Sequence, residues 1–358
     1  MNRLCISILI ALVATATVGV KRGSSQGLER MGPFLDSLMT QHAVPSIAFA
    51  LFDDNGLLYE RVSGFKSGAT KEPVGAATVF EAASISKPVF AYVVLSLARD
   101  GVLELDAPLG TLVPEIPELA YDPRSQSLTP RMLLSHRGGL PNWRSRMDFT
   151  AQTYAEMFPP GDTLFFKTDP GTEYGYSGEG YVLLQRIVEK VAGEDLNDLA
   201  RARVFEPLGM TRSSFRFDED MRRDHAQGHN REGAPDKWEI SLALASSTLH
   251  TTASDLARFG AHLADEIRRD GPYARLATQA MVTDTVGGME RSWGPGLGVV
   301  SDGQSRYAYH GGNNVIFIAD LIYGIEENLG YVLLTNSANG QRVVQALERR
   351  VFGRDLPR

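Results

Sequence analysis

Ser84 and Lys87 stand three residues apart in Ala82-Ala83-Ser84-Ile85-Ser86-Lys87-Pro88, directly ahead of a strongly apolar helical pattern. On a helix that spacing puts hydroxyl and amine on one face, about one turn apart. A serine hydroxyl attacks a carbonyl at neutral pH only if something takes its proton. A lysine can do so only if desolvation, neighbouring positive charge or a helix N-terminus lowers its pKa. A helix start at Ser84 supplies the last of these and aims backbone N–H groups at the site, as an oxyanion hole requires. Acyl transfer is the chemistry this pair suits; the bland alternative for Ser-x-x-Lys is a capped helix with a solvated lysine.

The remaining chemistry-bearing residues read more weakly. Gly175-Tyr176-Ser177-Gly178-Glu179 approaches the Gly-x-Ser-x-Gly nucleophile elbow but fails at Glu179, and Tyr176 by itself reads as a buried aromatic. His136 reads as a hydrogen-bonding structural histidine. His225 and His229 are four apart, yet Gly228 weakens a helix there and no His-Glu-x-x-His pattern exists; no metal or other cofactor is expected. Gly294-Pro295-Gly296-Leu297-Gly298 is a turn entering a strand, without a phosphate-loop lysine. Trp143, Trp238 and Trp293 suit a core, a rim or the lining of a cleft.

These residues need a frame. Residues 28–42 predict an amphipathic helix with Leu28, Met31, Leu35, Leu38 and Met39 on one face. Residues 45–52 and 57–62 predict strands joined at Asp53-Asp54-Asn55-Gly56. Further helices are expected at 90–103, stopping around Asp100-Gly101, at 180–191, ending near Gly193, and at 254–267, with Ser254-Asp255 as its N-cap. Prolines in 105–117 forbid a long helix there. The last fifth reads as strands at 297–301, 307–310, 315–323 and 330–335, closed by a helix at 343–351. Strands at both ends with helices between imply a mixed α and β fold: an antiparallel sheet built from the N- and C-terminal segments, flanked by helices, with a mostly helical inserted lobe. The sheet lobe is expected at 28–80 plus 290–358 and the helical lobe at 81–289, with a cleft between them.

The chain has 358 residues, 43% of them hydrophobic and 22% charged, enough apolar material for a sizeable core. A net charge of −7 and the lack of a long basic run argue against a nucleic-acid partner. Arg3 followed by the apolar run 4–20 reads as a targeting segment, with Ala14-Thr15-Ala16 as the preferred cleavage site. Residues 1–22 are therefore expected to be an export signal or an uncleaved N-terminal anchor, and the protein periplasmic or secreted. Cys5 lies at the very start of the apolar run and not after it, which does not suit a lipid-modified cysteine.

In order and spacing, Phe80–Lys87 (FEAASISK), Leu95–Asp106 (LSLARDGVLELD), Leu128–Leu140 (LTPRMLLSHRGGL), Pro170-Gly171 through Tyr176-Ser177-Gly178, Phe205–Met210 (FEPLGM), Leu249–Phe259 (LHTTASDLARF) and His310-Gly311-Gly312 resemble the penicillin-recognising serine hydrolases. That superfamily includes class C β-lactamases, DD-peptidases, D-aminopeptidases and related esterases. The resemblance runs from about residue 30 to the C-terminus. It implies a β-lactamase/transpeptidase-like fold, Ser84 as the acylated nucleophile and Lys87 as its partner in proton transfer. Tyr176 becomes a proton shuttle or general base, and His310 opens the third motif. The backbone N–H groups of Ser84 and Asn313, the latter on the strand following the motif, would form the oxyanion hole, with Gly312 and Gly178 beside the substrate. Two departures bear on substrate. The second motif commonly reads Tyr-x-Asn, and Gly178 removes that amide; His310 stands where lactamases carry lysine, giving a weaker, pH-dependent charge for a substrate carboxylate. The expected activity is hydrolysis of small ester, amide or peptide substrates through an acyl-Ser84 intermediate. DD-peptidase or D-aminopeptidase action comes next and β-lactamase last. The reading of another class is a catalytically degenerate member that binds cell-wall peptides or a partner.

Overall fold

The computed structural model describes residues 25–357 apart from 114–121, 146–147, 149, 152, 159–160, 237–239 and 241. The targeting segment and Trp238 lie outside the described residues. Helix α1 (Met31–His42) leads into strands β1 (Ser46–Asp53) and β2 (Gly56–Gly64), whose turn is closed by the Asp53 carboxylate accepting from Asn55 N–H at 2.8 Å. The short strand β3 (Phe80–Glu81) precedes helix α2 (Ser86–Arg99). Helix α3 (Gly178–Ala192), the short strand β4 (His250–Thr251) and helix α4 (Ala253–Arg268) follow. The chain ends with β5 (Val282–Val286), β6 (Met289–Trp293), β7 (Gly298–Ser301), β8 (Arg306–Asn313), β9 (Ile318–Gly324), β10 (Leu329–Thr335) and helix α5 (Gln341–Phe352).

Eight strands form one antiparallel sheet in the order β2-β1-β10-β9-β8-β7-β6-β5. The pairing of β1 with β10 is where the two ends of the chain meet, as expected from their strand patterns. Every residue of β1 is buried, because helices cover both faces of the sheet. Alternate side chains divide between two cores. Ile47, Phe49 and Leu51 join Met31, Leu35 and Leu38 of α1 and Val343, Val344 and Leu347 of α5. Ala48, Ala50 and Phe52 face the larger core that holds Leu256 and Phe259 of α4 and much of α2 and α3. Strands β3 and β4 pair with each other at the neck where the helical region leaves and rejoins the sheet.

Several expectations need correction. Helix α2 begins at Ser86, four residues before the expected start, because Pro88 lies in its first turn, where a missing N–H leaves nothing unsatisfied. It ends at Arg99 with Asp100 as its C-cap, at the expected Asp100-Gly101 stop. The N-cap of α4 is Thr252, whose hydroxyl accepts from Asp255 N–H at 3.2 Å, so Ser254 and Asp255 lie inside the helix. Strand β9 starts at 318 and not 315, since Asn314–Phe317 is a turn in which Val315 takes a φ of 64°. The sheet also gains an edge hairpin, β5–β6, ahead of the expected boundary at 290. It turns at Gly287-Gly288 with φ of 57° and 80°, the paired positive values a tight hairpin needs.

Candidate active site

The nucleophile segment is a single 3-10 turn, Ala83–Ile85, that runs straight into α2. Ala83 holds a φ of 50°, a left-handed conformation unfavourable for a residue with a Cβ. The turn is pinned from beneath by Ser86, whose hydroxyl donates to Ala83 O at 2.6 Å and accepts from Leu249 N–H at 2.9 Å. Strand β8 crosses against it so closely that a Cβ at Gly312 would lie inside contact distance of the Ala82 carbonyl. Gly312 thus lets the third motif approach the nucleophile. Asn313 is the last residue of that same strand, and not of a strand following the motif as expected; its side chain accepts from Val315 N–H at 2.8 Å and shapes the turn.

Lys87 is buried at 1% exposure in the first turn of α2. Its Nζ lies 3.2 Å from Ser84 Oγ and donates to Ser246 O at 2.7 Å. Among the described residues no carboxylate offsets its loss of hydration, and burial lowers its pKa to about 7. The ammonium sits 4.8 Å from the centre of the Tyr176 ring and 5.6 Å from that of Tyr181. Tyr176 is itself partly buried at the cavity wall. Burial pushes its phenol well above the ordinary value, and a hydrogen bond with Ser84 opposes that rise. Tyr176, far away in sequence, therefore shares one cluster with Ser84 and Lys87.

His136 holds Tyr176 in place. Its carbonyl accepts from Gly175 N–H at 2.8 Å and its Nδ1 from Ser177 N–H at 3.1 Å, so both neighbours of Tyr176 are tied to one residue. The ring lies 4.3 Å from that of Tyr176, and burial keeps the imidazole neutral, with Lys87 and His310 adding to the effect. This agrees with the structural role expected for it. Ser177 caps α3, accepting from Gly180 N–H at 2.8 Å and donating to Pro141 O at 2.8 Å.

A cavity of about 670 Å³ opens over this cluster, lined by Ser84, Lys87, Tyr176, His310, Gly312 and Asn313 together with Asn142, Trp143, Tyr174, Trp293 and Arg291, among others. Gly178 is not among the lining residues, which corrects the expectation that it lies beside the substrate. It is the buried first residue of α3, and a Cβ there would fall 2.5 Å from the Trp143 ring. Trp143 fills the space where a side chain at 178 would project. Gly178 N–H donates to Asn142 Oδ1 at 2.9 Å, so a different amide is brought to the cavity wall. The Asn142–Arg144 segment is anchored by a buried ion pair: Arg144 N and Nε both donate to Glu179 Oε1 at 3.0 Å, with side-chain exposures of 3% and 0%. Burial outweighs Arg144 and raises the Glu179 pKa.

His310 is buried, donates from Nδ1 to Gly311 O at 2.8 Å, and packs 5.5 Å from Trp293 and 6.3 Å from Tyr176. Arg291 on the cavity wall is bound in two contacts to Asp284, at 2.5 and 3.0 Å. His229 is far from acting with His225: its Nε2 accepts from Gly68 N–H at 2.8 Å and its Nδ1 meets Asn336 O at 3.0 Å. Asn142, Arg291 and the Ser246 carbonyl were not singled out by sequence. A backbone carbonyl leaves no residue-type signal, and Asn142 is marked only by following Pro141 at the end of the LTPRMLLSHRGGL motif.

Comparison with known proteins agrees with this geometry. The Beta-lactamase family model matches residues 33–354. The chain is 30% identical over 299 residues to penicillin-binding protein 4 of Amycolatopsis lactamdurans, covering 77% of each protein. It superimposes on the octameric penicillin-binding protein homologue from Pyrococcus abyssi with a TM-score of 0.74 at 23% identity, covering 90% of this chain and 77% of that one. On the D-alanine carboxypeptidase AmpC from Burkholderia cenocepacia the TM-score is 0.71 at 22% identity, covering 92% and 98%. With motif order, sheet topology and the serine-lysine-tyrosine cluster all in accord, the chain belongs to the Beta-lactamase family, within the penicillin-recognising serine hydrolases.

Proposed function

We propose that this protein hydrolyses ester or amide bonds of small, largely uncharged acyl substrates through an acyl-Ser84 intermediate. The observation that carries the reading is Lys87 Nζ at 3.2 Å from Ser84 Oγ, desolvated to a pKa of about 7, at the floor of an open cavity. A neutral amine there donates to Ser246 O and offers its lone pair to the Ser84 proton. Tyr176, whose phenol is held protonated by burial, passes a proton to the leaving group and is restored by the proton that Lys87 took from Ser84; Lys87, and not a Tyr176 phenolate, is the base. Backbone N–H groups at Ser84 and Asn313 receive the oxyanion. Water then attacks the acyl ester along the same proton path, with Ser84 Oγ as leaving group.

The substrate class follows from charge. Of the cavity's lining residues, Lys87 and Arg291 are the lysine and arginine; Lys87 is half neutral near pH 7 and Arg291 is committed to Asp284. No strong anchor for a carboxylate results, while Trp143, Tyr174 and Trp293 offer apolar walls. A second reading, action on cell-wall-type peptides, is favoured by the Asn142 amide on the cavity wall and by the similarity to a penicillin-binding protein. The apolar residues 4–20 support export, by a cleaved signal or an anchor. The test is hydrolysis of p-nitrophenyl acetate and butyrate by wild type beside Ser84→Ala. A burst followed by turnover that the variant lacks is expected. Equal rates in both proteins, or no burst in either, would reject an acyl-enzyme and leave a binding role.

A further inference from the structure

A second cluster lies at the neck of the fold, and the reaction above makes no use of it. Glu81, His225 and His250 each aim one ligand atom into a common space, all within 4.8 Å of one another. They come from three adjacent backbone segments. Glu81 and His250 are register partners across the β3–β4 pair, and His225 is bridged to Val79, with Val79 N–H donating to Asp224 O at 2.9 Å and Ala226 N–H to Val79 O at 3.0 Å. The scaffold is therefore rigid before any ligand arrives.

Two outer contacts orient these donors. His250 Nδ1 donates to Thr248 O at 2.9 Å, which fixes the tautomer whose Nε2 carries a lone pair. Asn314 Nδ2 donates to Glu81 Oε2 at 2.8 Å. Backbone carbonyls behind histidines and amides behind carboxylates are the usual supports of metal ligands. His225 Nε2 is buried and has no hydrogen-bond partner among the described residues, although the residue as a whole is partly exposed. A buried polar atom left without a partner is costly and calls for a reason. Phe217 packs against both imidazoles, 4.5 Å from His250 and 4.6 Å from His225, giving the space an apolar wall.

We propose that Glu81, His225 and His250 form a binding site for one divalent transition-metal ion of the zinc type, a structural site behind the nucleophile and outside the acyl-transfer chemistry. Two imidazoles and a carboxylate are a donor set such ions favour, with water or a further oxygen completing four-coordination. Metal–nitrogen bonds of about 2.0–2.1 Å place tetrahedral donors roughly 3.3 Å apart, so small side-chain rotations close the set. The consequence is local. Glu81 stands three residues before Ser84, and Asn314, which it holds, also donates to Ser247 O at 3.1 Å beside the carbonyl that binds Lys87. A cation would tie the nucleophile turn, β4 and the β8–β9 turn into one unit. Sequence hides this set because Glu81 lies more than a hundred residues ahead of both histidines, and His225 and His250 share no helical or strand spacing that would pair them.

The proposal is independent of the hydrolase reading. It is tested by titrating chelator-stripped protein with cobalt(II) and recording the visible d–d spectrum, with zinc competition and thermal unfolding in parallel. Wild type should take up one equivalent with the intense bands of tetrahedral cobalt, lose them to zinc, and melt at a higher temperature with zinc present. His225→Ala, at the partly exposed ligand, and His225→Gln, which preserves bulk, should fold by near-ultraviolet circular dichroism yet lose the bands and the zinc-dependent shift. A wild-type spectrum that stays that of aqueous cobalt, or bands that survive in both variants, would overturn the site.

Discussion

At the scale of single residues, the proposed catalysis rests on one effect acting in opposite senses on two groups. Burial disfavours the charged form, so it lowers the Lys87 pKa to about 7 and raises that of Tyr176. Ester turnover measured as kcat/KM should therefore rise with pH through an apparent pKa near 7, as Lys87 loses its proton. A rising limb near pH 10 would show that Lys87 titrates as a solvated lysine and would remove its role as base at neutral pH. The same shift sets a sign for stability. A lysine whose folded pKa lies below its unfolded value of about 10.4 contributes stability that is complete above that value and is lost as pH falls toward about 7. Ala83 offers a separate test. Its left-handed φ of 50° costs roughly 1–2 kcal/mol, and a glycine there forfeits about 0.4–1 kcal/mol through the unfolded chain. Ala83→Gly should then raise the urea unfolding free energy by about 0.5–1 kcal/mol with ester turnover retained; a loss of stability would show that the turn is not strained. Ser84 and Lys87 were legible in sequence because their relation is a three-residue step fixed by helix geometry. The Ser246 carbonyl that holds Lys87 lies 159 residues away and has no side-chain identity to read.

Elements bring these residues to their places, and the least legible one is the segment ahead of α3. Gly178 reads in sequence as a missing amide. In the fold it is a vacancy filled by Trp143, and the amide is returned from another direction by Asn142. That substitution depends on Arg144, whose guanidinium and backbone N–H both grip Glu179 inside the protein. Breaking such a pair by removing one partner strands the other charge, at about 3–5 kcal/mol. Arg144→Met should therefore cost about that much in urea unfolding and raise KM for esters as Asn142 and Trp143 shift. A loss below about 1 kcal/mol would show Glu179 already neutral. Gly178→Ala, which drives a methyl group into the indole, should change Trp143 fluorescence and lower turnover; an unchanged spectrum and rate would place Trp143 elsewhere. Helices were read well where an apolar stripe exists, and poorly at their ends. The helix expected from 90 in fact starts at Ser86, with Pro88 inside the first turn of α2, and the Thr252 cap lies two residues before the expected Ser254-Asp255.

On the scale of the whole molecule, the sheet explains why two distant ends of sequence make one site. Central strands β1, β9 and β10 are buried throughout and largely apolar because helices cover both faces, and that pattern is what made most of them readable. The edge hairpin β5–β6 is half exposed and polar, Val282-Thr283-Asp284-Thr285-Val286 against Met289-Glu290-Arg291-Ser292-Trp293, so its apolar content gave little signal despite the Gly-Gly turn. Yet this hairpin carries Arg291 and Trp293 to the cavity. The reaction is thus framed on one side by the most buried part of the fold and on the other by an exposed edge. Regions with few buried apolar contacts open at lower free energy than the core. In native-state hydrogen exchange, amides of β1 and β10 should exchange only through global unfolding. Those of β5 and the outer side of β6 should exchange through a smaller opening that a covalently bound acyl inhibitor on Ser84 suppresses by bridging the cavity. Uniform protection across all eight strands, or β5 exchange indifferent to acylation, would show that the edge takes no part in closing the site.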